Sequence, residues 1–171
     1  MELPQNNEID KAKTFFLLSY FFIKKPDKDF VEKLKNLNYF FDEEEILKEY
    51  TYLFRGLKEG ISLPPPYESL WRGEETVYGN YTIDVLKKYK KYKLKIDFEE
   101  ELPDHIGIEL KAMGLLFYYK NKEYQKEFLE EHILRWVPNY CIEMGKKTRN
   151  IFYKDLSSYT IEILKEIYNE A

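Results

Sequence analysis

Ile9-Asp10-Lys11-Ala12-Lys13-Thr14-Phe15-Phe16-Leu17-Leu18-Ser19-Tyr20-Phe21-Phe22-Ile23-Lys24-Lys25-Pro26 is the stretch on which the fold class turns. Ile9, Ala12, Phe15 and Phe16, then Ser19, Tyr20 and Ile23, recur at steps of three and four, the period of a helix face. Pro26 lacks a backbone N–H and stops the helix. Its centre is apolar on nearly every side, the pattern of a helix buried inside a bundle. The apolar run from Phe15 to Ile23, broken by Ser19, falls far short of the ~20 residues that span a bilayer. Acidic residues precede it and no small-residue cleavage site follows, so it does not read as a signal peptide. A soluble, cytoplasmic protein without stable membrane insertion is the expectation.

The same period runs outward from there. Phe30, Leu34 and Leu37 mark a short second helix. Asp42 is the expected N-cap of a third, with Glu43, Glu44 and Glu45 at its positive end; it runs through Ile46, Leu47, Tyr50, Leu53 and Phe54 to Gly56. From Gly56 to Gly79 the pattern lapses. Pro64, Pro65 and Pro66 cannot be helix interior, so an ordered Pro-rich loop with one helical turn after it is expected, closing at Gly79-Asn80. Val85, Tyr89, Tyr92 and Ile96 return to helical spacing. Pro103 and Asp104 read as an N′ and N-cap pair opening a helix through Ile106, Leu110, Met113 and Phe117. Phe128, Ile133, Trp136 and Val137 mark the next, interrupted at Pro138, and Tyr159, Ile163, Leu164 and Ile167 the last. The fold class is all-α: one domain over residues 1–171, a bundle of about seven or more helices.

Composition agrees. In 171 residues, aromatic side chains reach 18% while Gly and Pro number 7 each, too few for a β-sandwich with a turn every ten residues or so. The net charge of −4 offers no global basic field for nucleic acid. A single cysteine, Cys141, rules out an internal disulfide or a multi-cysteine metal site, and its aromatic surroundings place it in the core.

Chemistry-bearing patterns are few. His105 and Glu109 stand at i and i+4 and share a helix face, but no third metal ligand accompanies them, so His105 reads as a helix-start histidine. Gly145-Lys146-Lys147-Thr148 has the tail of a phosphate loop without its upstream glycine or strand and reads as a helix end. No catalytic residue, metal or cofactor is expected. Lys87 to Lys95 alternate with Tyr89 and Tyr92 in a way that would suit single-stranded RNA; yet both tyrosines fall on the apolar stripe, which makes the lysines a solvated face. Two segments stand out: Leu63-Pro64-Pro65-Pro66-Tyr67-Glu68-Ser69-Leu70-Trp71 and Glu101-Leu102-Pro103-Asp104-His105-Ile106-Gly107. Caps and turns account for much of both. Their acidic and aromatic character also suits a groove for an extended, basic, partly apolar peptide, with Gly107 permitting close backbone approach by another chain.

At these residues the chain resembles the TorD/DmsD family, maturation chaperones of molybdenum-containing redox enzymes to which NarJ-type proteins are related. Tyr50-Thr51-Tyr52-Leu53-Phe54, Pro65-Pro66-Tyr67-Glu68-Ser69, the Glu101–Leu110 segment with Met113, and Phe128-Leu129 with His132, Trp136 and Pro138 resemble four of its motifs, in order, across residues 46–141. The acidic approach to Pro-Asp-His is kept as Glu99, Glu100 and Glu101.

The resemblance implies a non-enzymatic chaperone that binds the twin-arginine signal peptide or apo form of a molybdoenzyme, assists cofactor insertion and delays export. It places peptide recognition on Tyr50, Leu53, Phe54, Tyr67, Glu68, Glu101, Pro103, Asp104 and His105. In that scheme Asp104, Glu68 and Glu101 pair with the arginines and the apolar residues take the stretch that follows. His105 makes binding pH-sensitive around neutrality. A homodimer exchanging helices about Gly56–Gly79 is a further state the resemblance allows. The competing classes are a generic helical interaction scaffold and an RNA binder using the lysine face.

Overall fold

The computed structural model describes residues 7–55, 63–98 and 101–170. In chain order these form α1 (Asn7–Ile23), α2 (Lys28–Asn36), α3 (Glu43–Tyr50), α4 (Glu68–Trp71), α5 (Asn80–Lys91), α6 (Ile106–Tyr118), α7 (Lys122–Phe128), α8 (Leu134–Lys147) and α9 (Ile151–Glu170). No strand occurs among the described residues, and the fold is all-α as expected. None of the described helices is long and apolar enough to cross a membrane.

Local chemistry explains most boundaries. Asp27 Oδ1 caps α2 through Phe30 N–H at 3.0 Å, and Asp42 Oδ1 caps α3 through Glu45 N–H at 2.7 Å. The third helix does not run on regularly: residues Thr51–Arg55 continue it as a π-turn that keeps Leu53 and Phe54 buried. Its expected end at Gly56 and the start of the Pro-rich loop, 56–62, lie outside the described residues, as do Glu99 and Glu100. α5 stops at Lys91, and Lys93 turns the chain with φ of 57°.

Pro138 does not interrupt its helix. The break falls earlier, where Leu129–Ile133 form a second π-turn and Leu134 N–H reaches back to Leu129 O. The ladder is already displaced there, so the missing proline N–H just beyond it is tolerated. Arg135 and Arg72 donate to the carbonyls of Glu130 and Glu131 beside that turn, at 2.9 and 3.1 Å.

α1 and α6 form the centre of the bundle. A Cβ at Gly107 would lie 2.3 Å from Ile23 Cγ1 and 3.2 Å from Ser19 O; one at Gly114 would lie 2.6 Å from the Phe16 ring. Gly107 thus admits α1 of its own chain rather than another molecule. Aromatic rings fill the space between helices, as where Phe21 meets Phe30 and Phe152 edge-on at centroid distances of 5.3 and 4.9 Å. Cys141 is fully buried, and burial pushes its thiol well above the usual range.

Part of the lysine face is partnered. Tyr89 and Tyr92 are buried as expected, while Lys88 and Lys91 hold Glu127 at 2.5 and 2.8 Å, and Lys88 also pairs with Glu131. Gly145–Thr148 ends α8, where carbonyls rather than N–H groups project, the wrong polarity for a phosphate.

Candidate functional site

Two segments distant in sequence are zipped together at the site. Tyr67 and His105 form an isolated antiparallel bridge; Glu68 N–H donates to Asp104 O and Ile106 N–H to Pro66 O, each at 2.9 Å. Trp71 Nε1 donates back to Pro65 O at 3.1 Å and folds the proline segment over α4. The two motifs singled out in the sequence are therefore one structural unit.

Asp104 is not the N-cap of α6. That position belongs to His105, whose Nδ1 accepts from Gly107 N–H at 3.1 Å. The Asp104 carboxylate is captured by a tertiary partner instead: Oδ2 accepts from Ser69 N–H at 3.0 Å and Ser69 Oγ at 2.7 Å. Tyr67 makes no side-chain capping bond, so Asp104 supplies the cap of α4 from across the chain. Asp104 is fully buried, with Oδ2 held by Ser69 and Oδ1 sealed from solvent without a hydrogen-bond partner among the described residues, which corrects the expectation that it faces a peptide arginine.

Glu68 is corrected on the same ground. It is fully buried, with Oε2 2.9 Å from His132 Nδ1 and Oε1 accepting from Arg72 at 2.6 Å. Glu109 adjoins it and accepts from Trp136 Nε1 at 3.0 Å. Burial, then the Glu68 charge beside it, push the Glu109 carboxyl well above its ordinary range, which favours its protonated form. Burial works to raise Glu68 as well, but bonds from His132, Glu109 and Arg72 outweigh it and hold the carboxyl below its usual range. Arg72 also lies over the Tyr81 ring at 4.0 Å. The cluster fastens α4 to α6, α8 and the π-turn before α8, and sequence reasoning missed it because its members come from elements far apart in the chain.

Five of the nine expected residues meet at one cavity. Tyr50, Phe54, Tyr67, Glu101 and His105 line about 220 Å³, together with Phe22, Arg55, Pro65 and Pro66. Leu53 is core, and Pro103 is buried with its carbonyl accepting from Tyr89 Oη at 2.9 Å, so neither faces the cavity. Phe22, Phe54 and the two prolines give an apolar lining.

The polar edge centres on Glu101. Its Oε1 accepts from Arg55 Nη2 at 2.5 Å and its Oε2 from the Tyr67 hydroxyl. Burial, then the Glu101 bond, lift the Tyr67 phenol well above its ordinary range. His105 Nε2 stands 3.9 Å from Glu101 Oε1. Since Nδ1 accepts from Gly107, the neutral ring carries its proton on Nε2, facing Glu101. Burial pushes the imidazole down to about 4, below the neutral range in which the sequence predicts a pH-sensitive site. Beyond Glu101 lies an open groove of about 570 Å³ bordered by Ile23, Lys24, Lys25 and Thr51. Arg55 carried no recognisable signal in the sequence beyond following Phe54. No group of three or more His, Cys, Asp or Glu residues suited to a metal occurs among the described residues.

Comparison with known proteins bears on this geometry. The profile of the nitrate reductase delta subunit family matches residues 24–141, which contain the whole cavity edge from Tyr50 to His105. A Haemophilus influenzae protein assigned as the Tat proofreading chaperone DmsD is 29% identical over 128 residues, 72% of this chain and 61% of that one. The chain therefore spans about three fifths of the length of that relative. Among solved structures, a protein from Archaeoglobus fulgidus assigned to redox enzyme maturation superposes with a TM-score of 0.65 at 22% identity, over 91% of this chain and 93% of that one. At that identity the likeness speaks for the fold.

Proposed function

The chain belongs to the nitrate reductase delta subunit family, the group of the TorD/DmsD maturation chaperones, and on that premise we propose that it binds the arginine-bearing signal segment of an exported redox enzyme. It acts in the cytoplasm, without catalysis, and holds the apo-enzyme back from export until its molybdenum cofactor is in place. The observation that carries this reading is the cavity edge, where a guanidinium and two ring donors gather around one carboxylate beside an apolar recess.

The chemistry matches such a peptide. Glu101 offers a buried carboxylate to one arginine, the fork geometry being well suited to a carboxylate. The recess of Phe22, Phe54, Pro65 and Pro66 accepts an apolar side chain, whose burial adds about 1.5–3 kcal/mol. A volume of about 220 Å³ lies below the ~300–1,000 Å³ of small-molecule pockets and suits one or two side chains rather than a nucleotide. Glu68 and Asp104 contribute indirectly, by holding the Pro-rich segment against α6 so that the recess keeps its shape.

The test is a calorimetric titration of the protein with twin-arginine peptides from molybdoenzymes of its source organism, each beside a version with both arginines replaced by glutamine. One native peptide is expected to bind at micromolar affinity or better and its glutamine version at least ten-fold more weakly. Equal affinity for both members of every pair, or no binding by folded protein, would overturn the proposal.

A further inference from the structure

We propose that Arg55 is a resident surrogate for the ligand's arginine: its guanidinium occupies the Glu101 carboxylate until an incoming arginine side chain displaces it. The inference rests on the reading above and adds what closes the site and how it discriminates.

The two members of the pair differ in surroundings. The Glu101 side chain is 5% exposed, whereas that of Arg55 is 51% exposed. The carboxylate is thus fixed inside, and the cation reaches it from the solvent side. Both Glu101 oxygens are taken, Oε1 by Arg55 and Oε2 by the Tyr67 hydroxyl. Among the described residues, a buried carboxylate stripped of its cation retains that hydroxyl and the neutral His105 ring 3.9 Å away, a poor substitute for a charge partner.

Exchange for another guanidinium therefore keeps the ion pair intact. Entry of an uncharged side chain breaks it and leaves the carboxylate uncompensated. Arg55 thereby turns the site into one that opens for arginine and resists glutamine or citrulline.

The cavities place the pair at a threshold. The inner recess and the outer groove share Tyr50, Arg55 and Glu101, so the Arg55–Glu101 contact is the partition between them. Tyr50 lines both spaces beside Arg55 at that point. When Arg55 swings out, the recess of about 220 Å³ joins the groove of about 570 Å³, giving a continuous path for an extended peptide. Of the two partners Arg55 is the one able to leave, because its side chain is already half exposed to water while that of Glu101 is not.

The experiment compares wild type, Arg55→Met and Glu101→Gln by titration with one twin-arginine peptide and its glutamine version. In parallel, the Arg55 Nε–Hε NMR signal of the wild type is followed on adding N-acetyl-arginine methylamide, with the citrulline analogue as control. Arg55→Met, which keeps the apolar stem, is expected to bind the arginine peptide about ten-fold more tightly and the glutamine peptide no better. Glu101→Gln is expected to bring the ratio between the two peptides to about one. The Arg55 signal should shift with the arginine probe and stay in place with citrulline.

If the wild type binds the arginine peptide selectively but folded Arg55→Met binds it equally or more weakly, the surrogate role is refuted and the chaperone reading stands. If neither protein binds any peptide and the Arg55 signal ignores the arginine probe, both are refuted.

Discussion

Removing the Asp104 carboxylate separates a scaffold from a contact. Oδ2 accepts two bonds from one residue, Ser69 N–H at 3.0 Å and Ser69 Oγ at 2.7 Å, with all three groups in a fully buried environment. Hydrogen bonds to a charged group contribute about 1.5–3 kcal/mol each, and the orphaned Ser69 N–H adds a desolvation penalty in the variant. Because both bonds share one acceptor they are not additive, and Asp104→Ala is expected to lose about 3–5 kcal/mol. For a chain of this length that lowers Tm by roughly 6–20 °C. Urea unfolding followed by far-UV circular dichroism measures the loss. Ser69→Ala removes only the Oγ bond and should lose about 1.5–3 kcal/mol, with a coupling energy of similar size in the double-mutant cycle. An Asp104→Ala protein that unfolds at the wild-type midpoint yet no longer binds peptide would refute the capping role and return the carboxylate to the ligand.

Two further outcomes concern protons. The folded His105 titrates at about 4 against an ordinary 6.5, so between those values the unfolded chain carries the proton and the folded one does not. Stability is therefore complete above pH 6.5 and declines as pH falls toward 4, by about 3 kcal/mol in all. His105→Asn keeps an acceptor for Gly107 N–H and should flatten that window in urea titrations; an unchanged slope would refute the burial argument. For Glu109 the sign reverses, since its folded carboxyl keeps a proton that the unfolded chain releases near 4.5. Wild type should lose ground to Glu109→Gln as pH rises from about 5 to 8, by up to about 1.4 kcal/mol per pH unit, because glutamine still accepts from Trp136. Parallel stability curves would count against a protonated Glu109.

The helical class, the caps at Asp42 and the Pro103–His105 helix start within a residue, and the burial of Tyr89, Tyr92 and Cys141 were all legible in the chain. Each depends on neighbours within about a turn: periodic apolar residues, a short acceptor before a free N–H, a ring without an N–H. The same locality explains the errors. Asp104 precedes a helix and looked like its cap, but Ser69 offers two donors from 35 residues away. Pro138 looked like a break, but the π-turn at Leu129–Ile133 takes that role.

The candidate site divides along the same line. Tyr50, Phe54, Tyr67, Glu101 and His105 were identifiable by type and order. Glu68 and Asp104 were identifiable too, yet their faces were not, since a carboxylate in sequence does not declare whether it meets solvent or a buried histidine. Local periodicity and composition by themselves determined the all-α class and the two segments that matter. Only tertiary packing decided which carboxylates are sealed inside, that the Glu109 carboxyl is pushed upward, and that Arg55 stands between the recess and the groove, because desolvation and ion pairing depend on groups brought together from several helices.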